Sequence, residues 1–160
     1  MGFLAQLEQS GFSAWVRESP SLWAYPTILT LHTIGLGLLV GTSSAVDLRI
    51  VGVGSDMPLA PMERFFPVMW LGFGINAISG AVLFAAHATS KIRNLAFIIK
   101  LIFIALAIVN TWWLRRHVFR DPESLGASPI RIKSRILACT SLFLWAGAIT
   151  AGRLMAYVGY

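Results

Sequence analysis

Four long apolar runs, at residues 25–46, 66–86, 95–114 and 136–158, leave this chain few ways to fold. A helix rises about 1.5 Å per residue and the hydrocarbon core of a bilayer is about 30 Å thick. A span therefore needs roughly 20 mainly apolar residues, and each run supplies them. The first two contain no Asp, Glu, Lys or Arg, the third only Lys100 and the fourth only Arg153. Of the 160 residues, 56% are hydrophobic and 12% charged, against about a quarter charged in a soluble domain. In lipid such runs satisfy their backbone as helices, and they are too long and unbroken for barrel strands. The predicted fold is all-α: an integral membrane four-helix bundle forming one domain over 1–160, with helices at about 22–46, 64–88, 94–116 and 134–158.

Residues 1–19 read as an amphipathic helix lying in the membrane interface. Phe3, Leu4, Leu7, Phe12 and Trp15 recur at helical spacing between Gln6, Glu8, Gln9 and Arg17. Pro20 ends it, and Trp23 with Tyr25 marks the aromatic belt of the first span. No basic start or small-residue cleavage site suggests a signal peptide. Cys139 stands alone, which excludes an internal disulfide or a thiolate metal cluster within one chain.

Charge sets the expected orientation. Arg49, Arg64, Arg115, Arg116, Arg120, Arg131, Lys133 and Arg135 flank the first-to-second and third-to-fourth connections; Arg17, Lys91, Arg93, Lys100 and Arg153 belong to the other side. The positive-inside rule puts the first group in the cytoplasm and both termini outside, in the periplasm of a bacterial inner (cell) membrane. The third connection, with Asp121-Pro122-Glu123 and Ser128-Pro129, reads as a polar loop. The net charge of +6 is assigned to lipid contact, and nucleic acid is not an expected partner. Gly37, Gly41 and Ser44 form a small-residue ridge on the first span, and Gly72, Asn76 and Gly80 form another on the second. Close helix packing, within the chain or a homo-oligomer, is the plainer use of each. Asn76 and Asn110 are expected to cross-link helices. Asp47 and Arg49 are expected to cap and anchor the first span.

Polar groups inside a membrane need a reason. Counting residues puts His32 roughly 10 Å and Lys100 roughly 9 Å below the outer face, with Arg153 at comparable depth and His87 at the end of the second span. Four helices thus send cations or imidazoles into one leaflet with no acid expected beside them, and the chain is read as keeping no carboxylate within the membrane. Lipid phosphate reached by snorkelling is the plain explanation for Lys100 and Arg153. An anionic cofactor is the sharper one. Haem b needs an imidazole ligand, a dry slot and basic partners for two propionates. His32 is the candidate axial ligand, His87 a possible second metal ligand although shallower, Gly80 a clearing for the ring, and Lys100 with Arg153 the propionate partners. His117, beside Arg115 and Arg116, belongs to the far interface. Zinc-protease, Walker and nucleophile-elbow signatures are missing, so no catalytic residue is assigned.

The run Leu31-His32-Thr33-Ile34-Gly35-Leu36 through Gly41 and Asp47-Leu48-Arg49 resembles a group of small four-helix bacterial inner-membrane proteins of unassigned function. So do Asn94-Leu95-Ala96-Phe97 with Lys100, then Asn110, then Trp145 through Gly152-Arg153. The likeness covers most of the chain after Tyr25. More distantly, an early LHxxG in a four-helix unit resembles copper-resistance protein D and the four-helix membrane b-type cytochromes. The resemblance implies a four-helix inner-membrane protein and draws attention to His32, Lys100 and Arg153 as a set. The leading expectation is a homo-oligomeric haem b protein for electron transfer or redox sensing near the outer leaflet, with a redox partner. A small transport or copper-handling protein and a structural or assembly subunit are the alternatives.

Overall fold

The computed structural model describes residues 2–120, 131–155 and 157. Those residues are helical or irregular, without a strand among them. Helix α1 (Phe3–Glu8) and helix α2 (Gly11–Glu18) precede the first long helix, α3 (Tyr25–Val51). A 3-10 turn (Ala60–Arg64) leads into α4 (Phe65–Ala85), followed by the single-turn α5 (Ala88–Lys91). Helices α6 (Leu95–Val118) and α7 (Ile132–Leu154) follow among the described residues. Four helical stretches, α3, the turn with α4, α6 and α7, are long and apolar enough to cross a membrane. The loop at Asp121–Glu123 and Ser128–Pro129 lies outside the described residues, as do residues 156 and 158 at the end of the expected fourth span.

Local chemistry sets the ends. Pro26 occupies the first turn of α3, where its missing N–H costs nothing. Gly52 ends that helix at φ 124°, a conformation that side-chain-bearing residues rarely adopt. Asn94 caps α6 by accepting from the amides of Ala96 at 2.9 Å and Phe97 at 3.4 Å. The N-terminal stretch differs from the expected single helix. It breaks at Gln9, because the Ser10 hydroxyl accepts the Ser13 amide at 3.3 Å and so starts a second helix. The two helices fold back on the α4–α5 end, burying Ser13 and Val16 while Phe3, Phe12 and Trp15 stay exposed.

The long helices form two antiparallel hairpins, α3 with α4 and α6 with α7, joined where α3 lies on α7. Gly35 and Gly72 let the first pair touch backbone to backbone. A Cβ on Gly35 would stand 2.7 Å from the Asn76 amide nitrogen, and one on Gly72 2.7 Å from that of Leu39. Gly37 and Gly41, expected to pack closely within the chain or a homo-oligomer, meet nothing within 4 Å and are exposed on the single chain, so they do not make its packing ridge. On α4 the Gly72–Asn76–Gly80 ridge does pack against α3. In the second hairpin the Phe103 ring fills the place a side chain at Gly147 would take. The core, with Ile50, Phe66, Leu114 and Trp145, sits in the half remote from the N-terminal helices. Outward faces carry Ile34, Leu71, Ile78, Leu101, Leu106 and Phe143. A surface this apolar suits hydrocarbon rather than water.

Candidate functional site

His32 lies on the face of α3 that meets α4, and a reciprocal clamp fixes it. Its Nδ1 is 3.0 Å from the Asn76 backbone oxygen and 3.1 Å from Ser79 Oγ, while Asn76 Nδ2 donates to the His32 carbonyl at 2.8 Å. A carbonyl oxygen can only accept, and the Ser79 proton is committed to the Ile75 carbonyl at 2.6 Å. Nδ1 is therefore the protonated nitrogen, and Nε2 keeps its lone pair. Gly80 completes the arrangement: a Cβ there would stand 3.1 Å from His32 Cε1. The clearing made by Gly80 is thus occupied by the His32 ring.

Two lysines attend this imidazole. Lys100 of α6 runs along α7 at Gly152, where a Cβ would meet its Cδ, Cε and Nζ at 3.5–3.7 Å. Lys91 of α5 folds back so that its Nζ donates to the Leu83 carbonyl at 3.2 Å. Both ammonium charges act on His32. Burial, and then the Lys100 charge, push the Lys91 ammonium below its usual range. No carboxylate among the described residues acts on either lysine or on His32. Arg153, expected beside Lys100, follows Gly152 in α7 but turns its side chain outward.

His87 belongs to a neighbouring cluster at a different level. It stands seven residues beyond Gly80, roughly 10 Å farther along the chain direction of α4. His87 thus lies beyond the end of α4, at a shallower level than His32. Burial first, then Lys91 and Arg17, lower the His87 pKa, against Glu8 and a hydrogen bond with the Leu83 carbonyl. Glu8 corrects the expectation of an acid-free leaflet: its carboxylate accepts from the Thr89 amide at 2.8 Å and hydroxyl at 2.5 Å, and lies 4.0 Å from Arg17. Arg17 also donates to the Ala86 carbonyl at 3.1 Å. The terminal helices are thereby fastened across the α4–α5 turn, and the Glu8–Arg17 pair leaves the two lysines uncompensated.

Sequence reasoning missed Lys91, which reads as a loop cation until α5 turns it inward. It also misplaced Asp47. Far from capping α3 at the surface, Asp47 is 2% exposed and lies between α3 and α7. The extra turn to Val51 carries the helix past it, so an acid is kept within the apolar span after all. Arg49 instead anchors the following loop, donating to the carbonyls of Met57 and Ser55. Asn110 cross-links α6 to α7 by donating to the Leu137 carbonyl at 2.9 Å, as the sequence suggested. His117 is exposed at the opposite end and bonds the Trp113 carbonyl, beside a cleft lined by Arg116, Arg131, Lys133 and Ser134. No group of three or more His, Cys, Asp or Glu residues suited to a metal ion occurs among the described residues. Comparisons with family models, curated proteins and solved structures gave no match.

Proposed function

We propose that this protein is a bacterial inner-membrane haem b carrier, working as a homo-oligomer in electron transfer or redox sensing near the outer leaflet. One observation carries the reading. An imidazole with Nδ1 committed and Nε2 free lies beside two half-buried lysines that have no carboxylate of their own. Two uncompensated cations in a low-dielectric setting favour an anionic ligand. A histidine oriented by a backbone carbonyl at Nδ1 has the usual arrangement of a metal-bound one.

In this reading His32 would hold the haem through Nε2, and Lys91 and Lys100 would hold its propionates. Because α3 and α4 touch backbone to backbone at Gly35 and Gly72, the group would be held on the flank of the bundle rather than between these two helices. His87, which sits at another level, would hold the group less directly than His32. Haem would supply the one-electron chemistry; the chain orients the imidazole. The uneven Lys and Arg distribution supports termini on the periplasmic side, and the exposed Phe3, Phe12 and Trp15 support α1 and α2 lying in the interface.

The test is a visible spectrum of the purified protein, oxidised and then dithionite-reduced. A Soret band with reducible α and β bands is expected, lost in His32→Ala and weakened in retention by Lys100→Met. A colourless protein from haem-replete cells would overturn the proposal.

A further inference from the structure

Asp47 forms a second polar centre, well away from His32. It stands fifteen residues farther along α3, roughly 22 Å by helical rise, and neither the imidazole nor the lysines take part in it. The surroundings of its carboxyl are sparse. Ser43 Oγ donates to Oδ2 at 3.3 Å, and Ser43 itself accepts from the indole Nε1 of Trp145 at 3.0 Å. The Ser141 hydroxyl, from α7, stands beside the carboxyl without reaching hydrogen-bonding geometry, and its oxygen is buried with no partner. Both serines and Trp145 are as inaccessible as Asp47.

Among the described residues, no cation acts on this acid. Arg49, two residues farther along and so on the opposite side of the same helix end, is spent on the Ser55 and Met57 carbonyls. On α6, Arg115 lies 3.5 Å from Glu63 and over the Phe66 ring, and Arg116 lies over Trp112. Lys133 and Arg135 at the start of α7, and Arg64 before α4, are exposed. An ionised carboxylate with one weak donor and no counter-charge is costly in such a place. A neutral acid is not, because its own O–H can turn to the one unpartnered acceptor beside it, Ser141 Oγ.

We propose that Asp47, cradled by Ser43, Ser141 and Trp145, is an intramembrane proton-binding site, occupied at neutral pH with the acid hydrogen directed to Ser141. The site gives the chain a proton to release or exchange within the bilayer, separate from the anion-attracting end. No bond other than O–H is made or broken, and the proton comes from water.

The experiment is infrared spectroscopy of the full chain in liposomes at pH 7, with aspartate labelled with 13C at its carboxyl carbon. A protonated carboxylic-acid C=O band that moves with the label, persists in Asp56→Asn and Asp121→Asn, and vanishes in Asp47→Asn is expected. In Ser141→Ala it should shift to higher frequency as the hydrogen bond is lost. Absence of a label-sensitive acid band at pH 7 shows an ionised carboxylate and overturns the proposal. A band unmoved by Ser141→Ala overturns the cradle. The labelled wild-type spectrum stands as a test by itself should Asp47→Asn fail to assemble.

Discussion

Replacing Gly35 with Ala tests the contact on which the His32 site is built. The added Cβ would stand 2.7 Å from the Asn76 nitrogen and 2.9 Å from the Gly72 oxygen, where ordinary contact begins at 3.4 Å. Both neighbours are backbone atoms and cannot swing aside, so α3 and α4 must part by about 0.7 Å or more. That movement stretches the 3.0 Å and 2.8 Å bonds between His32 and Asn76 past useful length. Overpacking costs about 1–3 kcal/mol, and interhelical hydrogen bonds in a membrane are worth about 0.6 kcal/mol each. A loss of about 2–4 kcal/mol follows, or about 30- to 1,000-fold in the folded-to-unfolded ratio. Reversible unfolding in bicelles would measure it. Gly37→Ala and Gly41→Ala are the controls, since a Cβ at either meets nothing within 4 Å, and each should leave stability unchanged or raise it by up to about 1 kcal/mol. A Gly35→Ala protein as stable as those controls would refute the backbone contact and the clamp with it.

Lys100→Met removes a half-buried cation, so the ligand-free protein should gain about 1 kcal/mol while losing affinity for an anionic ligand. A lower melting temperature without ligand would contradict the claim that this lysine lacks compensation. Glu8 has its pKa held below the usual 4.5 by the Thr89 hydroxyl and amide. Its contribution to docking the terminal helices is therefore present at neutral pH and disappears as pH falls through the carboxylate range. Hydrogen exchange of residues 3–18 should accelerate in acid, and Glu8→Gln should abolish that dependence; equal protection at neutral and acid pH would sink the idea. Trp145→Phe keeps an aromatic side chain but removes the indole N–H that donates to Ser43 and leaves space in the core, and should cost at least about 1 kcal/mol in the same bicelle titration. No loss there would mean that the Trp145–Ser43–Asp47 chain does not stabilise the packing of α7 on α3.

What the sequence determined by itself is whatever follows from length and solvent. Apolar runs of this length have one stable form in hydrocarbon, so the four helices and their approximate bounds were legible, as was the use of Asn76 and Asn110 between helices. His32 and Lys100 could be singled out because polar groups at that depth are rare. Helix rotation was not legible, since each span is apolar nearly all the way round and its periodicity does not point to one inner face. For that reason Gly37 and Gly41 looked like the packing ridge, although Gly35 makes the contact. Tertiary structure alone decided that Arg153 faces outward, that Lys91 folds in, and that Glu8 reaches across to Thr89. It decided Asp47 as well: one further turn of α3, packed against α7, turns a helix-end acid into a buried one. Whether a polar side chain is at a membrane's edge or inside it depends on what the neighbouring helix covers, and that information resides in the packing rather than in the run of residues.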